Sequence, residues 1–197
     1  WGPIESMGKD INTEYQETSI YHSLNDSYMF FTSSRPGGQG ELDIYVMRRT
    51  KKGKWSNPEN LGTTVNTEYS EEGPYFDVEN STLYFSSKGH EGMGGYDLYK
   101  SVWDTLANTW TEPENLGYPI NSADDELFYT IRENSGHAYY ASFKDDSHGY
   151  LDIYSIVPKK EDVVVEEELQ VEDTTNIPIE ISEEIFKSIN VKVSVKD

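Results

Sequence analysis

"WSNPENLGTTVNTEYSEEGPYFDVENSTLYFSSKGHEGMGGYDLYKS", residues 55–101, decides the fold, because the chain writes it three times. Residues 1–47 read "WGPIESMGKDINTEYQETSIYHSLNDSYMFFTSSRPGGQGELDIYVM", and residues 110–156 read "WTEPENLGYPINSADDELFYTIRENSGHAYYASFKDDSHGYLDIYSI". Trp1, Trp55 and Trp110 stand 54 and 55 residues apart, and Asp43, Asp97 and Asp152 keep the same two intervals. So do Asn12, Asn66 and Asn121, and Glu17, Glu71 and Glu126. Agreement at several unlike residue types over a full period is the mark of a repeated supersecondary unit.

Each row breaks into short extended pieces. "GPYFDV" and "TLYFSS" flank a tight "VENS" turn, a hairpin signature. After a Gly-rich loop comes "YDLYKSV", where apolar and polar residues alternate. "NTWTEPENLG" supplies a fourth segment, and Pro113, which has no N–H to donate, suits it to a sheet edge. No row keeps an apolar period of 3.6 over three turns, which excludes a helical solenoid. Four antiparallel strands in about 54 residues is the unit of a β-propeller blade. The expectation is therefore an all-β chain of about three four-stranded blades, at 1–54, 55–109 and 110–156, forming a partial or open propeller. The strands of one row and the outer strand of the next are offset. Residues 1–8 thus read as the outer strand of a preceding blade, and the repeats stop after a third strand. Three blades are too few to close a ring, since rings usually hold four to eight. Truncation of a larger propeller, an open arc, and a ring made by two chains all stand. Truncation is the reading adopted, with an exposed sheet face or edge on each flank.

Composition narrows the function. A formal charge of −20 over 197 residues argues against nucleic acid or an anionic membrane surface as partner, since both select clustered Lys and Arg. With no cysteine there is neither a disulfide framework nor a thiolate metal site. No apolar run approaches the ~18 residues that span a bilayer as a helix. The chain starts at Trp1 without an initiator Met or signal peptide, and reads as a fragment or processed product.

The pattern P-E-N-L-G-x-x-[IV]-N-[TS], a following Glu, "LYFSS" and G-G-x-D-[IL]-Y resembles the WD40-like propeller repeat of the TolB type. More narrowly, it resembles the version found in OmpA-family envelope lipoproteins of gliding, type IX-secreting bacteria. The resemblance covers residues 1 to about 156. Row three departs from it, with "AYYASF" for "LYFSS" and "DDSHG" for the Gly-Gly loop. It implies a helical TPR region before the propeller. It implies a small carboxypeptidase-regulatory-like β domain and an OmpA-like peptidoglycan-binding domain after it. It also implies a periplasmic, outer-membrane-associated location. Residues 157–174 read as an acidic linker. Residues 175–197, with alternating "IPIEI" and "NVKVSVKD", read as the start of the next β domain or as a tail.

The repeated residues invite chemistry, and each has a plainer reading. Asp43, Asp97 and Asp152 precede an Ile/Leu-Tyr strand, where a short carboxylate accepts N–H bonds from the adjoining turn. Asn12, Asn66 and Asn121 read as turn residues or side-chain clasps between blades. Glu17, Glu71 and Glu126 precede the innermost strand. At the channel mouth they would bind a ligand or, beside Asp124 and Asp125, a cation. Otherwise they accept bonds from a neighbouring turn. Arg35 and Lys88 follow equivalent strands and are the candidate basic ligand contacts. The four histidines, His22, His90, His137 and His148, share no ligand spacing. No catalytic motif appears: no nucleophile elbow, phosphate loop, H-E-x-x-H or sialidase Asp-box. The expectation is a non-catalytic scaffold that binds a protein or a peptidoglycan-associated envelope complex. It carries no catalytic residue, no metal and no cofactor. The alternative is a glycan-binding or glycoside-hydrolase-type propeller with Tyr15, Tyr69, Trp103 and His90 as stacking surfaces.

Overall fold

The computed structural model describes residues 1–132 and 135–157. The linker and β-domain readings of 158–197 lie outside the described residues. Within them every regular element is a strand. The first blade contains β1 (Glu17–His22), β2 (Tyr28–Ser33), β3 (Asp43–Arg48) and β4 (Glu59–Asn60), paired in that order. The second contains β5 (Glu71–Asp77), β6 (Thr82–Ser87), β7 (Asp97–Asp104), β8 (Thr109–Trp110) and β9 (Glu114–Asn115), with β8 and β9 both on β7. The third contains β10 (Glu126–Ile131), β11 (Ala138–Ser142) and β12 (Asp152–Ile156). All pairings within blades are antiparallel. The fold is thus the expected all-β array of propeller-like blades. Pro113 falls between β8 and β9 and splits the fourth strand in two, because it offers no N–H to the ladder.

Local chemistry makes the turns. The Ser23 hydroxyl, fully buried, accepts the N–H groups of Ser27 and Tyr28 and closes the β1–β2 hairpin. In the second blade the Asp77 carboxylate does this for Glu79 and Asn80. Each inner strand carries a bulge at one position, between Glu17 and Ile20, Glu72 and Tyr75, and Leu127 and Thr130. Gly73 takes a φ of 60° there and packs on the backbone of Phe128, which adopts φ 61° itself.

Alternate residues of each sheet face the two neighbours. Phe30, Ile44 and Val46 of the first blade meet Phe76, Leu83, Phe85 and Tyr99 of the second, with Trp110 and Val65 completing the core. The rear face of the first blade, Met29, Phe31, Tyr45 and Met47, is also buried, against Ile11 and Trp55. The forward face of the third blade is open. Ile153 is 75% exposed, whereas Ile44 and Leu98, its counterparts, are 0% exposed. The expected bare flank is therefore present on the third blade but not on the first, where the lead-in loop lies over the sheet. Residues 1–8 form no strand and are exposed, against expectation. Their counterparts β4 and β9 bond to the third strand of the blade before, and the described residues hold no such partner for them.

Candidate functional site

The repeated polar residues form one hydrogen-bonded unit at the end of each blade where the long loops gather. Glu71 is fully buried and accepts the Thr67 N–H (2.8 Å), the Thr67 hydroxyl (2.7 Å) and the Ser87 hydroxyl (2.7 Å). Glu126 does the same with the Ser122 N–H and hydroxyl and the Ser142 hydroxyl. Glu17 repeats it with Thr13 and Ser33, and Arg35 lies 3.6 Å away. These carboxylates bind the lead-in turn to the second strand of their own blade. Burial pushes the Glu71 carboxyl up, more than the Thr67 and Ser87 bonds and the nearby His90 draw it down. Burial also raises Glu17, but Thr13, Ser33 and Arg35 outweigh it, so its carboxyl sits below the usual range. No group of three His, Asp or Glu suited to a metal occurs among the described residues, including Asp124 and Asp125 beside Glu126.

Asn66 links blades. Its Oδ1 accepts the Ile44 N–H (2.8 Å), and its Nδ2 donates to the Ile44 carbonyl (3.0 Å) and to Asn60 Oδ1 (3.0 Å). The side-chain amide thus stands in for a strand residue beside β3 of the preceding blade. Asn121 repeats this on Leu98 and Asn115. Asn12 has no such strand, and donates to the exposed Ser6 hydroxyl instead. The aspartates serve the loop: Asp43 accepts the N–H groups of Gln39 and Gly40, Asp97 those of Met93 and Gly94, and Asp152 that of His148.

Arg35 and Lys88 part company. Arg35 lies over the Phe31 and Tyr45 rings and donates to the carbonyls of Asp10 and Ile11. Its counterpart in the second blade is His90, which packs on Phe85 and Tyr99 with Nε2 2.9 Å from the Val65 carbonyl. In the third it is Lys144, over Tyr140 and Tyr154, donating to Pro119 and Ile120. One role is filled by three residue types with a one-residue slip, so no identity match marks it in the sequence. Lys88 instead extends over the Tyr96 ring. The Tyr96 phenol is pushed up to about 12, by burial first and then by Glu72, to which it donates.

Cavities of ligand size occur among the described residues. At the loop end, about 510 Å³ lies between Gln39, Thr64, Glu68, Tyr69, His90 and Glu112. It holds two carboxylates but one tyrosine ring. At the opposite, hairpin end, about 610 Å³ lies among Tyr21, Asn25, Tyr75, Asp77, Tyr84 and Arg132 of all three blades. Also at that end, about 460 Å³ opens between the first and second blades over Tyr28, Phe76, Trp103 and Trp110, with Glu59 its single carboxylate. Of the stacking candidates, Tyr15 and Tyr69 are exposed, His90 is spent on its clasp, and Trp103 lines this last cavity. Of its other walls, Trp110 and Glu59 fall in the repeated pattern, whereas Tyr28, Arg48 and Phe76 carry no repeat signal.

The fold and site define an array of propeller-like blades whose repeated polar residues hold turns and neighbouring blades together. No protein-family model matches the chain, and no curated protein matches it. Seven solved chains match in structure. One is the alpha-L-arabinofuranosidase from Lactobacillus brevis, at 15% identity and a TM-score of 0.45, covering 78% of this chain and 55% of that one. The chain thus spans about half of that enzyme's length, and at this level of likeness no activity carries across.

Proposed function

We propose that this chain is a non-catalytic interaction scaffold, a propeller module of a bacterial envelope protein. By its sequence resemblance it is of the TolB-type repeat seen in OmpA-family lipoproteins, and it works in the periplasm or at the outer membrane. Its partner is a protein or a cell-wall component. One observation carries the reading: the carboxylates that recur in every blade are committed to turns and inter-strand bonds, three acceptor contacts each for Glu71 and Glu126. A carboxylate so bound is a poor general acid or nucleophile, because it has neither access to substrate nor freedom to move.

The test is made on the full chain, presented to envelope extract and to purified peptidoglycan. Retention of one defined partner, or sedimentation with peptidoglycan, is expected, together with no release of nitrophenol from a panel of aryl glycosides. Turnover of any of these that disappears in Glu68→Gln or Glu112→Gln would establish the glycoside-hydrolase alternative and end this proposal.

A further inference from the structure

The cavity between the first and second blades at the hairpin end is built in part from residues that the repeat does not explain. Tyr28, Arg48 and Phe76 line it. Their counterparts one blade on are Thr82, Val102 and Ile131. Trp110 and Glu59 of the same wall recur with the blades, at Trp55 and Glu114, but Tyr28, Arg48 and Phe76 do not. Its floor is aromatic. Tyr28 and Trp103 are half-buried, Phe76 and Trp110 buried, and Trp103 meets Trp110 edge-on at 5.2 Å between ring centres. Its rim is polar and neutral at Ser81, Thr105 and Asn108. The one charged feature is an ion pair, Arg48 with Glu59, and the Arg48 guanidinium lies 6.0 Å from the Trp103 ring centre.

The lining selects by chemistry. At about 460 Å³ the cavity falls in the range of small-ligand sites, ~300–1,000 Å³. Arg48 is neutralised by Glu59 in a chain of charge −20, so an anion gains nothing. A cation meets Arg48. A purely apolar ligand leaves the polar rim without partners. What fits is a neutral ring with one C–H face and a hydroxylated edge. The C–H dipoles pack on the negative face of an indole, and the hydroxyls exchange hydrogen bonds with an Arg–Glu pair and an amide. We propose that this inter-blade cavity binds a neutral pyranose, with Trp103 as the stacking platform and Arg48 and Glu59 as hydroxyl partners. The site lies at the hairpin end, away from the long loops, and does not rest on the envelope-scaffold reading.

The experiment uses the full chain with the methyl β-pyranosides of glucose, galactose, mannose and N-acetylglucosamine, read by saturation-transfer NMR and tryptophan fluorescence. Methyl β-D-glucuronide and indole are the anionic and apolar controls. At least one neutral pyranoside is expected to bind with millimolar affinity and to outcompete both controls. Trp103→Ala should weaken it about tenfold, the upper range for loss of one aromatic contact. Because Trp103 also packs on Trp110, Glu59→Gln on the exposed rim is the second arm. With Arg48 no longer neutralised, preference should move severalfold toward the glucuronide while the fold is kept. Absence of binding by all four pyranosides overturns the proposal. So does indole binding in their place, or a glucuronide preference unmoved by Glu59→Gln.

Discussion

Replacing Asn66 by Ala tests the claim that side-chain amides, and not packing alone, join neighbouring blades. Asn66 is 1% exposed and makes three bonds, two of them to both backbone groups of Ile44. Ile44 sits in the middle of the core between the first two blades, where water cannot replace the lost partner. Alanine therefore leaves the buried Ile44 N–H without a partner, at about 1–3 kcal/mol, whereas the Ile44 carbonyl keeps the Leu61 N–H at 3.2 Å. Asn60 keeps its contacts to Gly62 and Asp43, so the damage stops there. The expected loss is about 2 kcal/mol, and about the same for Asn121→Ala, where the Leu98 N–H is orphaned and the Leu98 carbonyl keeps the Leu116 N–H. Asn12→Ala is the internal control. It carries the same repeat position but bonds an exposed serine, so its cost should stay within about 0.5 kcal/mol. Urea denaturation followed by tyrosine and tryptophan fluorescence measures all three. With a slope of about 1–3 kcal/mol per molar, the midpoint should fall by roughly 0.7–2 M for Asn66→Ala and Asn121→Ala. Equal costs at the three positions would refute the reasoning, because the repeat would then act through something other than the clasp.

Further outcomes follow from the same geometry. Glu17 and Glu71 should oppose each other in pH dependence. The lowered Glu17 carboxyl contributes stability that is present above its ordinary value of 4.5 and is lost as pH falls through its folded value. The raised Glu71 carboxyl does the reverse, and costs stability as pH rises from 4.5 through its folded value. Measured against wild type, Glu17→Gln should then be more damaging at pH 6 than at pH 3, and Glu71→Gln less so; a common trend would contradict the assigned shifts. Gly94→Ala should destabilise by about 1–3 kcal/mol in thermal melts, because the new methyl meets the backbone of Ala123 and Asp124 in the next blade. Gly117→Ala, which has open space and pays only for its φ of +66°, should cost less. Ile44→Ala should cost about 2–5 kcal/mol by core truncation, against about 0.5 for Ile153→Ala at the equivalent position. Equal losses would mean that the forward face of the third blade is covered in solution.

Much of this protein was legible before any coordinates. A period held at Trp, Asn, Glu and Asp together placed the strand order, the hairpins and an outer edge strand, because each blade must satisfy the same turns by the same local bonds; that Pro113 splits this strand in two came from the structure. The aspartates show this most plainly: a carboxylate at the first position of its strand meets N–H groups of the loop three or four residues before it in every blade. The glutamates were harder. Their spacing put them ahead of the inner strand, but whether they faced a channel or their own turn depended on the bulge and on Ser33, Ser87 and Ser142 across the sheet.

What repeats is local in origin, and sequence by itself determined it: blade count, strand order, and the residues that hold each turn. What the tertiary structure decided is where unlike residues from different blades meet. Arg35, His90 and Lys144 share one task although no residue type is common to them, since any donor of sufficient reach can span from an aromatic pair to the carbonyls beyond it. The cavity over Trp103 joins Tyr28 and Arg48 of one blade to Phe76 and Trp110 of the next. No period links Tyr28, Arg48 and Phe76, so their meeting is set by how two sheets pack and not by how either one folds.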